Sequence, residues 1–299
     1  MLLTSLASLG FVALTAAQDL ISALHAQPDL STLLGALQDV PEIAVVLAAA
    51  SNITILAPTN DAFAQVPARS PLGTALANKE ADAIAALLAY HVLSGTFMST
   101  DFMEDPQYVS TLLVAYEVDG VSVTNVTGGQ NVGLQLNGSD ATILSGEMMS
   151  SVVTEADIQV GEIIVHKIDS LLTLPVKASA QASEAGLTGI VDALTQASLV
   201  ETVDTTPDLT VFIPSNEAFA ALGTGYEGLD TEALTDILTY HVIAGNVLFS
   251  PELSNTTVPS LQGTDLTVTV LGDAVFINEA QVIIPNIIIA NGVAHVINQ

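Results

Sequence analysis

Short β-branched runs that stop at proline are followed by Ala/Leu-rich stretches with apolar residues three and four apart. This pattern occurs twice along the chain. The runs ITILAP (Ile53–Pro58) and TVFIP (Thr210–Pro214) are predicted strands. Proline cannot donate to a central ladder, so each strand should end there. Thr59 and Ser215 then offer side-chain oxygens as helix caps, with Asp61 and Glu217 in the first turn, where the helix dipole favours negative charge. Ala81–Ala89 and Thr231–Thr239 are predicted helices, with apolar spacing such as Ile84, Leu87 and Leu88. Each is expected to run into a Tyr-His-Val strand closed by Ser94-Gly95 or Ala244-Gly245. VSVTNV (Val121–Val126), VGLQLNG (Val132–Gly138), ATILSG (Ala141–Gly146), LTVTVL (Leu266–Leu271) and AVFIN (Ala274–Asn278) lie between Gly, Asn and Asp turns and read as hairpin strands.

The two passages are copies of each other. TILAPTNDAF (Thr54–Phe63) recurs as TVFIPSNEAF (Thr210–Phe219), LLAYHVLSG (Leu87–Gly95) as ILTYHVIAG (Ile237–Gly245), and IIVHKID (Ile163–Asp169) as GVAHVIN (Gly292–Asn298). The offsets shrink from 156 to 150 to 129, so the first copy is longer, with most of the excess expected around residues 120–147. Three blocks in one order at this long period mean two homologous domains, not a solenoid. The boundaries read from the sequence are 18–176 and 185–299, with the small-residue stretch 177–184 as linker.

These blocks resemble the fasciclin-like domain family. PTNDAF and PSNEAF are similar to its first signature region, the Tyr-His dipeptides to its central one, and IIVHKIDSLLTLP (Ile163–Pro175) to its closing one. The resemblance implies an α+β fold, with two tandem domains that are each a β-sheet wedge flanked by helices. It also implies a role in extracellular adhesion or in matrix and cell-wall association. The Cys-free, acidic, two-copy form is closest in character to fungal members. The second copy departs at its end, with Asn298 for Asp169 and no counterpart of Leu171–Pro175, so its last strand is expected to be less well anchored.

Residues 1–17, MLLTSLASLGFVALTAA, carry no charged side chain and end in small residues, which reads as a signal peptide cleaved before Gln18. The sequons at Asn52, Asn125, Asn137 and Asn255 agree with a secreted, extracellular or wall-bound glycoprotein. Asn137, in a Gly-rich turn, is the best placed of them. Composition narrows the chemistry further. The chain has 299 residues, 32 acidic against 4 basic, for a net charge of −28, which disfavours nucleic acid and anionic membranes as partners. With so few bases, salt bridges are expected to add little to stability. Zero Cys removes disulfides, thiolate nucleophiles and zinc–thiolate sites. No metal or other cofactor is expected, nor a membrane span.

Tyr90-His91 and Tyr240-His241 sit among Leu, Val and Ile, which suits buried groups satisfied by hydrogen bonds. The family resemblance adds that this region is implicated in cell-receptor binding, and the two readings are compatible if the motif shapes a surface loop from beneath. His166 and His295 read as core. Nine residues before His166 stands Asp157-Ile158. At that spacing, animal members of the family carry an Asp-Ile pair implicated in integrin recognition, where a carboxylate reaches a metal ion. Asp157 alternatively caps a turn and Ile158 fills core. The second copy has Asn286-Ile287 and lacks the carboxylate. Gly223–Gly228 fits G-x-G-x-x-G but follows a helical stretch, not a strand, and reads as a loop. Asp101, Glu104 and Asp105 read as a solvated turn. The function expected is non-enzymatic adhesion through two binding domains, to protein or polysaccharide of the cell surface, wall or matrix. The alternative is capture of a small hydrophobic ligand in a cleft of one domain.

Overall fold

The computed structural model describes residues 20–114, 116–118, 120–223 and 228–299. The expected signal peptide and the middle of the Gly223–Gly228 stretch lie outside these residues. The strands are β1 (Ile53–Pro58), β2 (Val92–Ser94), β3 (Gln107–Ser110), β4 (Glu117–Val118), β5 (Val121–Ser122), β6 (Asn131–Asn137), β7 (Asp140–Leu144), β8 (Ser150–Val160) and β9 (Ile163–Ile168). They continue with β10 (Leu209–Pro214), β11 (Val242–Ile243), β12 (Thr256–Pro259), β13 (Asp265–Leu271), β14 (Ala274–Ile277), β15 (Ala280–Ile289) and β16 (Gly292–Ile297). The chain divides into two units. Unit 1 holds the residues up to Val123 with Asn131–Ser145 and Met149–Thr173, and unit 2 holds Thr124–Gln130, Gly146–Met148 and Leu174–Gln299.

Each unit has one seven-stranded order, and the two orders are the same permutation: β2-β1-β9-β8-β7-β6-β3 and β11-β10-β16-β15-β14-β13-β12. β1 lies parallel to β9 and β10 parallel to β16, while the other pairs are antiparallel. Helices cover one face. In unit 2 Val211 and Ile213 of β10 join Ile190, Leu194 and Leu234 on that face, while Phe212 between them joins Leu266, Val268 and Ile277 on the other. That is the period-2 alternation of a strand buried on both sides.

The proline-stopped strands and their caps form as predicted. Thr59 Oγ1 accepts from Ala62 N at 3.3 Å, and Ser215 Oγ accepts from Ala218 N at 3.2 Å. Four details differ from expectation. The helices Ala81–Tyr90 and Thr231–Tyr240 each take in their tyrosine, and the histidine caps the end, so the following strand begins only at Val92 or Val242. Of VSVTNV, only Val121–Ser122 is strand; Thr124–Gln130 belongs to unit 2, where Thr127 donates to Asp208 through N (2.7 Å) and Oγ1 (2.6 Å). The stretch read as linker carries helix Ala178–Glu184, and its Ala178 and Ala182 sit in the core of unit 2. Small residues there mark alanine's high helix propensity and close packing. Finally, β16 is fully buried and paired on both sides, so this strand is firmly held, contrary to the expectation of weaker anchoring.

The expectation about salt bridges needs correction at one point. Lys167 on β9 is buried, and its Nζ reaches Glu155 Oε2 (2.8 Å), Asp29 Oδ2 (3.0 Å) and Gln27 Oε1 (2.9 Å). Burial alone would lower its pKa, but the hydrogen bonds and charges of Glu155 and Asp29 outweigh it and hold the ammonium above its ordinary value. Both carboxylates are about half exposed and rehydrate easily, whereas the ammonium does not. Asp29→Asn with Glu155→Gln should therefore cost about 3 kcal/mol of stability, more than Lys167→Met, because it strands a buried charge. Chemical denaturation of the two variants compares them, and a larger loss in Lys167→Met would contradict the assignment.

Candidate functional site

The two histidine motifs perform the same two structural tasks in each unit. His166 lies in the middle of β9 and is fully buried. Its Nδ1 accepts from Asp157 N at 3.1 Å, so the ring proton sits on Nε2, which donates to Phe97 O at 2.8 Å. Asp157 occupies an irregularity in β8, with φ of 61°, between the paired residues Glu155 and Ile158. That turn aims its carboxylate at the loop after β2: Oδ1 accepts from Ser99 N (2.8 Å) and Oδ2 from Ser99 Oγ (2.5 Å). Partial burial raises the carboxyl's pKa, but the two Ser99 bonds more than offset this and leave it below the ordinary value.

Unit 2 repeats the clasp with a neutral residue. His295 Nδ1 accepts from Asn286 N (3.3 Å), and its Nε2 donates to Leu248 O (2.9 Å). Asn286 also has positive φ, 64°. Its Oδ1 accepts from Ser250 N (2.7 Å), while its Nδ2 donates to Ser250 Oγ (2.7 Å). The serine hydroxyl gives a proton to Asp157 in one copy and accepts one from Asn286 in the other, so the same loop is held with or without the charge. Asp157 and Ile158 are both partly buried, and the carboxylate is spent inside the fold.

The second pair of histidines closes the helix before the sheet. In unit 1 His91 Nδ1 donates to Leu87 O (2.8 Å), and Nε2 accepts from Leu172 N (3.0 Å). Tyr90, fully buried, donates to Asn131 O (3.0 Å). In unit 2 His241 Nδ1 donates to Ile237 O (2.7 Å), and Tyr240 bonds to Asp265 O (3.4 Å) and accepts from Asn278 Nδ2 (2.9 Å). Here both side chains are only partly buried and line a cavity of about 370 Å³. The sequence had singled out the Tyr-His pair but not this cavity.

Among the sequons, Asn137 stands exposed at the tight β6–β7 turn, and Asn255 is exposed beside exposed Thr256 and Thr257. Asn52 is exposed, but the hydroxyl of Thr54 is buried, donating to Gly95 O and accepting from Phe97 N. Asn125 is partly buried and donates to Thr205 O. Asp101, Glu104 and Asp105 are exposed, in keeping with a solvated turn, and Asp101 accepts from Met98 N. Among the described residues no group of three or more His, Asp or Glu is placed to hold a metal ion, and no single helix is long and apolar enough to cross a membrane.

His91 and His295 are both pushed down to about 4 by burial, against smaller upward contributions from their bonds to Leu87 O and Leu248 O. The unfolded chain takes up a proton on each near the ordinary 6.5, whereas the folded chain resists until about 4. Stability is therefore complete above pH 6.5 and falls as pH drops toward 4, by up to about 3 kcal/mol per histidine. Melting temperatures across that range should decline, and His91→Gln and His295→Gln should each flatten the slope. A slope unchanged by both substitutions would contradict the assignment.

A fasciclin-domain family model matches residues 28–175 and 185–299. A fasciclin-like arabinogalactan protein of Arthroderma benhamiae is 32% identical over 213 residues, covering 71% of this chain and 49% of that protein. The fasciclin-like arabinogalactan protein elcF of Phaeosphaeria nodorum is 28% identical over 291 residues, covering 96% and 89%. The chain thus spans about half the length of the first of these relatives. A solved FAS1 domain pair from the insect cell adhesion molecule Fasciclin I overlaps 90% of this chain and 95% of its own, at a TM-score of 0.41 and 17% identity. Since the family model covers both copies and most of the sequence between its first and last matched residues, the chain belongs to the fasciclin domain family.

Proposed function

We propose that this protein is a secreted, non-enzymatic binding protein of adhesion type, which holds components of the cell surface, wall or matrix through its two fasciclin domains. The observation that carries this reading is the commitment of the motif side chains. His91, His166, His295 and Asp157 all spend their polar atoms on backbone or serine partners that shape loops, not on one another as a nucleophile and base. The acidic, uncompensated surface keeps such a protein soluble and averse to non-specific contact. Family membership and the leader-like residues 1–17 support the extracellular part of the reading, and Asn137 and Asn255 are its preferred glycan sites.

In unit 1 the recognition surface is assigned to the loop that Asp157 clasps. Thr100, Asp101, Met103, Glu104 and Asp105 are exposed there, Met103 at 65%. Asp157 is then a positioning residue, and its charge is dispensable in the way Asn286 illustrates. Asp157→Asn keeps the clasp and removes the carboxylate, whereas Asp157→Ala removes both; losing a charged hydrogen-bond pair should cost about 2 kcal/mol. Beads coated with the protein, applied to cells and to wall fragments, should be retained equally by wild type and Asp157→Asn. Retention should drop for Asp157→Ala and for Met103→Ala with Glu104→Gln and Asp105→Asn. Loss in Asp157→Asn would make the carboxylate itself the ligand, and no retention by wild type would contradict the adhesion reading.

A further inference from the structure

Unit 1 has a concave feature that shares no wall with the loop clasped by Asp157. A groove of about 410 Å³ opens between helices Ser31–Asp39 and Pro71–Asn78. Positions 32, 35, 36 and 39 fall on one face of the first helix, so the groove follows that helix for about two turns, roughly 10 Å. Gly35 and Ala36 form the middle of this wall, Leu76 faces them from the second helix, and partly exposed Phe63 adds an aromatic surface. The polar groups stand at the two ends. Thr32 is at one, and at the other is Asp39, whose Oδ1 takes the ammonium of Lys79 at 2.8 Å. Thr32 Oγ1 and Asp39 Oδ2 have no hydrogen-bond partner among the described residues.

Gly35 leaves the middle of the groove open. Glycine inside a helix is destabilising relative to alanine, and packing does not require it here, since a Cβ at Gly35 would meet no atom within 4 Å. Asn60 accepts from Thr32 N as Asn216 accepts from Gly189 N, and this match puts Asp192 of unit 2 in the place of Gly35. In unit 2 Phe219, the counterpart of Phe63, lies against Gly189, where a Cβ would come within 2.7 Å of the ring. Thr32 occupies that position in unit 1, and Phe63 is the more exposed of the two rings.

We infer that this groove binds a short run of a neutral polysaccharide, with the C–H face of a sugar ring on Phe63 and Leu76 and ring hydroxyls on Thr32 Oγ1 at one end and the Asp39–Lys79 pair at the other. An apolar middle with hydrogen-bonding groups at its ends suits a sugar, whose ring joins an apolar face to a rim of hydroxyls. The open mouth leaves the remaining hydroxyls in water. A purely hydrocarbon ligand would desolvate the Thr32 hydroxyl and the ion pair without giving either a partner. An extended peptide would find no backbone partners along the walls, because both are helices whose N–H and C=O groups are paired internally. A polyuronate would be repelled by a chain of net charge −28, whereas Asp39 and Lys79 together add none. The inference deepens the adhesion reading and rests on it for the source of the sugar.

The test titrates the intact protein with laminarihexaose, cellohexaose and chitohexaose, and with an oligogalacturonate, by calorimetry and amide NMR. Saturable binding of at least one neutral oligosaccharide is expected, and none of the uronate, with shifts centred on residues 32–39 and 76–79. Gly35→Leu fills the groove while improving helix propensity, so it should melt no lower than wild type and bind about tenfold more weakly. Thr32→Val removes one hydroxyl at nearly constant volume and should also weaken binding. No saturable binding of any neutral oligosaccharide up to about 10 mM, wild-type affinity in both variants, or shifts centred elsewhere would overturn the proposal. A negative titration beside retention of wild-type beads on wall fragments would overturn this site and leave the adhesion reading in place.

Discussion

A neutral, fully buried histidine at the centre of each sheet sets the geometry on which the rest of this protein depends. The ring accepts one backbone N–H and donates to one backbone carbonyl, joining an irregular strand to the loop after the sheet's second strand. Either bond alone is worth about 1 kcal/mol, but leaving the ring unpaired in the core would cost more than making both contributes. The strand irregularity puts Asp157 or Asn286 in a left-handed conformation that these two residue types tolerate well. That conformation turns the side chain onto Ser99 or Ser250. Loop position thus follows from the histidine through a single chain of contacts.

The copies share this device and differ around it. Unit 1 adds a buried ammonium at Lys167 where unit 2 has Val296, and closes its helix end with its own chain at Leu172. In unit 2 the corresponding region is a cavity with a half-covered Tyr-His pair. Asn replaces Asp without loss of the clasp because the serine hydroxyl both donates and accepts. The same fold thus tolerates a change of charge at the clasp and a change of packing at the helix end.

Much of this was legible in the sequence. The repeated blocks located β1, β9, β10 and β16 and the capped helices after β1 and β10, because proline stops and Thr or Ser caps act locally. His91, His166 and His295 were legible as core residues from their apolar neighbours, whereas His241, read the same way, is only partly buried. Their partners were not: Ser99 is far from Asp157 in the chain, and only strand pairing brings them together. Residues 177–184 were misread because alanine and serine suit linkers and helices alike, and burial by the rest of unit 2 decides between them. Val121–Val126 looked like a hairpin strand, yet strand ends at Ser122, and Thr124–Gln130 sends its hydrogen bonds to Asp208, Ile289 and Ala290 within unit 2. Lys167 was counted among four sparse bases, and nothing local indicated that it would be buried against Asp29 and Glu155.

The most direct measurement is the tautomer of each imidazole, read from long-range proton–nitrogen NMR at pH 7. The account requires His166 and His295 to carry their proton on Nε2, with Nδ1 bare to accept from Asp157 and Asn286. It requires His91 to carry its proton on Nδ1, with Nε2 bare to accept from Leu172. Two opposite tautomers, one per motif, are the predicted result. A proton on Nδ1 of His166 or His295, or a charged ring at either position, would remove the acceptor that anchors the clasp and contradict the account.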